Sequence, residues 1–307
     1  MTASVASAPR GPFLLAIALL AVTTLVILMG AMTTSTGSGM AFLDWPMSDG
    51  QLMPERAFHE APAFFEHFHR VIAASAGLLA VWLCAWLVLR RVGPGAARGT
   101  AAAGLLVIIV QGTIGGLGVL KNLPYWSSIT HGTLAQLTLA TFACVAWQLS
   151  GSYLRTSPAT GVPAGTGRKV AVIAVVALVL QTILGAIARH SNSAHALWTH
   201  VANAFVVFLV VVVATGFAMG RLGRTPGLRP VAKWLSGLLI LQIVLGFVAL
   251  LIRNQAGKTP ENVANLGTAL LISAHVLLGA TLTVLATTMA AQVFRASRRP
   301  DAAPGPA

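Results

Sequence analysis

Four histidines, His69, His131, His200 and His275, fall in four different long apolar stretches, and the second pair repeats the placement of the first. An imidazole inside a membrane helix is costly to desolvate, so it faces a bundle interior and acts there. Two such helices facing each other place one neutral imidazole on each side of a haem iron. Each half of the chain offers one such pair. The pattern predicts two haem pockets.

The stretch FFEHFHR adds a second kind of chemistry. On a helix, Glu66 shares a face with His69 three residues on and Arg70 four residues on, while His67 points elsewhere. A carboxylate beside an iron-ligating imidazole orients the ring or handles protons at the bound group. The alternative is an interfacial ion pair between Glu66 and Arg70, and the residues alone leave both open. Arg70, Lys121, Arg189 and Arg253 lie at helix ends on the histidine side, where they suit either haem propionates or interface snorkelling. Gln111, Gln181 and Gln242 read as structural amides bonding across helices. Gly132 and Gly279 follow His131 and His275 and would let a flat macrocycle approach the backbone. His190 and His195 read as loop residues, with His195 the substitute candidate should His200 not be a ligand. Cys84 and Cys144 read as small core residues.

The elements that must hold these residues are membrane helices. The chain is 56% hydrophobic and 9% charged, with a mean hydropathy of +0.80. Spanning a bilayer takes roughly 20 mostly apolar residues, and eight such stretches occur, near 12–33, 68–90, 98–120, 127–150, 168–189, 194–219, 229–252 and 266–294. The apolar run of the first is too long for a cleaved signal peptide. The runs are continuous rather than alternating, which favours helices over a barrel. The net charge of +13 does not indicate a nucleic-acid partner. Fourteen of the 20 Lys and Arg cluster at alternate connections, from Arg10, Arg90 and Arg91 through Arg155 and Arg221 to Arg295, and six of the seven acids fall on the opposite side. This positive-inside asymmetry places both termini in the cytoplasm and the four histidines toward the outer face of the membrane. Haems held there sit side by side. Cytochromes that stack two haems across the membrane carry two histidines on one helix, a pattern these stretches lack.

An internal repeat is readable. His69 and His200 are 131 residues apart, as are Gln111 and Gln242, and Gly30-Ala31 matches Gly185-Ala186 at an offset of 155. Four helices per repeat is an even number, so both halves share one orientation. The predicted architecture is all-α: two parallel four-helix bundles, residues 1–155 and 156–307, each with a histidine on its second and fourth helices.

The run MTTSTGSGMAFLDWPMSDGQLMP (Met32 to Pro54), followed by EHFHR, resembles the first extracytoplasmic segment and second helix of the heme A synthase family. QGTIGG and the four helix histidines match as well, so the resemblance extends over all eight stretches. It implies oxidation of a haem O methyl group to the formyl of haem A in a cell membrane. It further implies that His69 and His131 face haem O, that His200 and His275 hold haem b, and that Glu66 is the catalytic carboxylate. The implied partners are membrane lipid and the farnesyltransferase that makes haem O, with the electron donor or acceptor left open. Many members flank the DWP motif with two cysteines; here Phe42 and Ser48 stand there, which excludes thiol chemistry in that loop. Two other classes compete. A di-haem b electron-transfer cytochrome would need no ExxHR carboxylate, and a transporter built on parallel repeats would show helices broken at mid-membrane.

The charge asymmetry generates a test. Reporter fusions at Arg155 and Arg221 are expected on the cytoplasmic side, and fusions at Gly50 and Lys258 on the outer side. Reversal at any two of these sites contradicts the eight-helix topology.

Overall fold

A computed structural model describes residues 8–157, 164–191, 193–256 and 266–297. The described residues form α1 (Arg10–Ser35), α2 (Arg56–His59), α3 (Ala61–Leu89), α4 (Gly95–Leu120), α5 (Tyr125–Gln148), α6 (Gly151–Arg155), α7 (Ala164–His190), α8 (Ala194–Leu222), α9 (Leu228–Ala256) and α10 (Leu266–Ala296). All except the short α2 and α6 are long and apolar enough to cross a membrane. At 1.5 Å per residue even the shortest of the eight, α5 with 24 residues, exceeds the ~30 Å hydrocarbon core.

Local signals start and stop these helices where the chain needs to turn. Proline precedes or opens several of them: Pro9 and Pro94 flank α1 and α4, Pro124 precedes α5, and α3 carries a proline in its first turn. The fixed φ and missing N–H of proline cost nothing at a helix start. That proline also explains why α3 begins at Ala61 rather than near 68: the aromatic run FFEHFH continues the helix outward past the strictly apolar stretch. Ser193 Oγ accepts the Ala196 N–H at 3.2 Å and caps α8. His195 therefore lies in the first turn of α8, and His190 is the last residue of α7. Both histidines are helical, contrary to the loop assignment made from sequence.

Helices α1, α3, α4 and α5 contact one another in a ring, and α7, α8, α9 and α10 do so in the same cyclic order. The two sets meet along a seam in which α10 packs on both α1 and α5, and α5 packs on α7. Ile27, Leu139 and Ala280 form a small apolar cluster in that seam. Polar contacts join it as well: Ser35 Oγ lies 3.2 Å from Ser273 Oγ, and Thr182 Oγ1 donates to Gln136 Oε1 at 3.2 Å.

Each set has its own core, and each core lies at the end away from the histidines. In the first it gathers Leu19, Leu83, Leu87, Phe142 and Leu149; in the second, Val211, Leu222, Leu228, Leu235 and Met289. Cys84 and Cys144 are buried free thiols. Apolar side chains such as Leu78, Leu106 and Leu209 cover the outer surface, as lipid-facing positions require. Packing is concentrated at one end of the helices. The other end is left for a cavity.

Candidate functional site

Every one of the four histidines lies against a glycine on the preceding membrane helix. A Cβ built on Gly30 of α1 would fall 2.8 Å from His69 Cε1, and one on Gly115 of α4 would fall 2.6 Å from His131 Cε1. The corresponding distances are 2.9 Å from Gly185 of α7 to His200 and 3.1 Å from Gly246 of α9 to His275. No other residue type allows this approach, because any Cβ would occupy the imidazole's place. Four residues before the first two glycines lies the carbonyl that fixes each ring. His69 Nδ1–H donates to Val26 O at 3.1 Å, and His131 Nδ1–H donates to Gln111 O at 2.9 Å. A carbonyl only accepts, so the proton is on Nδ1 and the Nε2 lone pair is free to bind a metal.

The second set is held differently. Gln181 Nε2–H donates to the His200 carbonyl at 2.9 Å, and Asn203 Nδ2–H donates to Gln181 Oε1 at 2.7 Å. Gln242 Nε2 lies 3.4 Å from His275 Nε2. Nδ1 of His200 and of His275 is buried without a hydrogen-bond partner. The three glutamines thus bond across helices, and each does so toward a histidine-bearing helix.

The histidines pair as the sequence predicts. The rings of His69 and His131 have centroids 6.2 Å apart and planes crossed at 81°; those of His200 and His275 are 6.4 Å apart and crossed at 85°. With a metal–imidazole bond of about 2.0 Å, two imidazoles on opposite sides of one metal hold their centroids roughly 6 to 6.5 Å apart. Among the described residues no group of three or more His, Cys, Asp or Glu is placed to hold a bare ion. Two opposed imidazoles suit instead an iron whose equatorial positions a macrocycle already fills. A cavity of about 1520 Å³ reaches all four histidines. Single-ligand pockets run to roughly 1,000 Å³, so this one has room for two large ligands.

The loop between α1 and α2 closes the first pair. Arg70 clamps it from α3, donating to Asp44 O at 2.7 Å, to Phe42 O at 3.3 Å, to Met47 O, and to the Glu66 carboxylate. Glu66, itself buried and lining the cavity, accepts the Phe42 N–H through Oε2 at 3.1 Å. His67 points to the same loop, with Nδ1 3.0 Å from Ser48 Oγ and Nε2 3.3 Å from Met53 Sδ. Within the loop, Asp44 accepts the N–H groups of Gly50 at 2.8 Å and Asp49 at 2.9 Å. Those backbone donors, Gly50 first, hold its carboxyl below the usual range. Arg56 bridges Asp49 at 2.9 Å and Glu60 at 3.0 Å, and its hydrogen bond keeps the Glu60 carboxyl low as well. Trp45, so positioned, lies flat on Gly116: a Cβ there would be 2.3 Å from its Cε2. Trp45 and Pro46 form part of the cavity wall.

The cations expected near propionates divide. Arg189 lines the cavity and donates to Ala31 O at 3.0 Å and Ser35 Oγ at 2.7 Å, tying α7 to α1. Arg70 also lines it, but its terminal N–H groups are engaged by the loop and Glu66. Lys121, at the C-cap of α4, is exposed and outside the lining. The side chain of Arg253 lies outside the described residues. His195 is exposed and outside the lining, so His200 is the residue that pairs with His275, while His190 does line the cavity. Gly132 and Gly279 line it too. The sequence reading missed the four glycines and Trp45. The glycines were visible only as members of the repeat, and nothing in their spacing marks them as seats for the histidines.

A family model described as cytochrome oxidase assembly protein matches residues 13–201. The match takes in His69, His131 and His200 and is shorter than the resemblance over eight stretches read from the sequence. Among curated proteins, a "Heme A synthase" of Rhodopseudomonas palustris (strain HaA2) is 33% identical over 162 residues, 49% of this chain and 44% of that protein. One of Methylobacterium sp. (strain 4-46) is 32% identical over 148 residues, covering 44% of this chain and 40% of the relative. One of Methylobacterium radiotolerans is 28% identical over 148 residues, covering 45% and 40%. The aligned part therefore spans less than half the length of these relatives.

The glycine seats can be tested one by one. Gly115→Ala should displace the His131 ring and weaken low-spin, bis-histidine haem absorbance, and Gly246→Ala, with 3.1 Å of clearance, should weaken it less. Gly132→Ala serves as control, because its Cβ meets nothing within 4 Å, and alanine for glycine in a helix is favourable by about 1 kcal/mol. Equal spectra for all three variants would contradict the assignment of Gly115 as a seat.

Proposed function

Because the chain belongs to the cytochrome oxidase assembly protein family, we propose that it is a membrane haem-modifying oxidoreductase that converts haem O to haem A. The single observation that carries this reading is the pair of matched bis-histidine sites on one cavity, only the first of which is roofed by a loop and faced by a carboxylate. The relatives printed as "Heme A synthase" support the same reading.

In this proposal residues 1–155 and 156–307 are the two halves of a parallel repeat with different tasks. His69 and His131 hold the substrate, haem O, and His200 and His275 hold haem b. Haem b, when bound, supplies a one-electron redox centre. The remaining work falls to this chain's own groups. The His69 and His131 tautomers are preset by Val26 O and Gln111 O, so binding needs no proton shift. Trp45 and the clamped loop keep water from the first site, and Arg70 holds that loop in place. Arg189 is positioned for a propionate, with Lys121 and Arg253 as further candidates at the same end. Oxidising a methyl group to a formyl requires protons to leave as electrons are withdrawn, and Glu66 is the carboxylate placed to accept them. The electron route is not assigned. The proposed setting is the cell membrane with both termini cytoplasmic and the haem O-producing farnesyltransferase as supplier.

Glu66→Gln tests this directly. The amide oxygen still accepts the Phe42 N–H, and Arg70 keeps its three carbonyl partners, so the loop should remain closed. The variant is expected to retain haem b and bind haem O while making haem A roughly 100-fold more slowly or less. Haem extraction and chromatography read both quantities. Haem A formed at the unmodified protein's rate would reduce Glu66 to an ion-pair partner, and a purified protein yielding haem b alone would favour an electron-transfer cytochrome.

A further inference from the structure

The cavity does not have the same shape in the two halves. On α3 its wall runs from His69 to Val81, and on α4 it reaches Leu105. In the second half it ends at Val207 on α8 and Leu239 on α9. At the repeat offset of 131, Val207 and Leu239 correspond to Ala76 and Ile108. The first half therefore continues five residues farther along α3 and three along α4, about one helical turn away from the histidines. Over its whole length this arm follows α3 for about 18 Å at 1.5 Å per residue.

Residue size accounts for the difference. Ala74, Gly77 and Gly112 line the arm in the first half, and a Cβ built on Gly77 or Gly112 would meet nothing within 4 Å. Phe205, Phe208 and Ile243 occupy the corresponding positions of the second half. Phe208 and Ile243 pack against the second core, and bulk stands where the first half has space. The arm is apolar and opens sideways: Val81 is 50% and Ile109 56% exposed on the membrane-facing surface.

We propose that this arm between α3 and α4 is the subsite for the isoprenoid tail of a farnesylated haem, and that Phe205, Phe208 and Ile243 exclude such a tail from the second site. The inference rests on the assignment of His69 and His131 to haem O. The arm is continuous with the His69–His131 site, so its occupant is a substituent of whatever those histidines hold. An apolar chain there stays out of water throughout, with its far end toward the bilayer. The second site, closed at the same depth, accepts a macrocycle without a tail. One repeat thus sorts two haems by a side-chain difference at three aligned positions.

The test uses the full-length protein, freed of haem and reconstituted in nanodiscs, titrated with haem O and with tailless haem b. In the unmodified protein, haem O should bind a site that His69→Ala abolishes. Gly77→Phe with Gly112→Ile, which places the second half's residues in the first, should weaken haem O binding at that site about tenfold or more, from overpacking against the tail. Binding of haem b at the same site should change less than about twofold, and the second site, read by its His275-dependent spectrum, reports that the variant is folded. The converse variant, Phe205→Ala with Phe208→Gly, should let haem O enter the second site and decides the matter if the first variant does not fold. Unchanged haem O affinity in the first variant, or continued exclusion in the converse one, overturns the proposal. Haem O binding that ignores His69→Ala in the unmodified protein refutes the parent assignment instead.

Discussion

Each of the four imidazoles must be buried at membrane depth with one nitrogen satisfied or pinned and the other left free, and the rest of the structure is arranged around that requirement. A histidine in hydrocarbon is tolerated only with polar partners or a ligand. Glycine at positions 30, 115, 185 and 246 lets each ring press against a neighbouring helix backbone. In the first half the reward is a hydrogen bond from Nδ1 to a helix carbonyl; in the second the rings keep the same spacing with Nδ1 unpartnered. Helix packing follows from these contacts. The glycine-bearing helix and the histidine-bearing helix must be immediate neighbours, and they are so in all four cases.

The first site carries an added polar layer. Arg70, Glu66 and His67, adjacent on α3, all reach the loop that holds Trp45 over the cavity. The same Glu66 carboxylate is both ion-paired and cavity-lining, so the two alternatives left open by the sequence are not exclusive. A carboxylate pinned by Arg70 and a backbone N–H is held in one place, which proton transfer also requires. Phe42 and Ser48, standing where many relatives of the resembled family have cysteines, take part as a buried wall and as the His67 partner.

Much of this was legible in the chain. The eight membrane helices follow from apolar length alone, and their observed ends differ mainly where a proline or a serine cap extends the helix, as at Ala61 and Ser193. The two histidine pairs were legible because polar residues at that depth are rare and repeated at matched offsets. Arg70 was read only as far as its charge, since its four loop and carboxylate partners lie up to 28 residues away in sequence. Trp45 and the glycine seats depend on which helix faces which, and no local pattern encodes that. Lys121 shows the opposite failure: it sits at the right helix end but points away from the cavity.

The central claim is that the two histidine pairs are separate and unequal haem sites. Single alanine substitutions at His69, His131, His200 and His275, each purified and read by haem extraction and low-temperature absorbance, test it most directly. The account predicts that losing His200 or His275 abolishes the resident haem b signal, while losing His69 or His131 spares haem b and selectively removes the farnesylated haem. Equal loss of all haem from all four variants would contradict it.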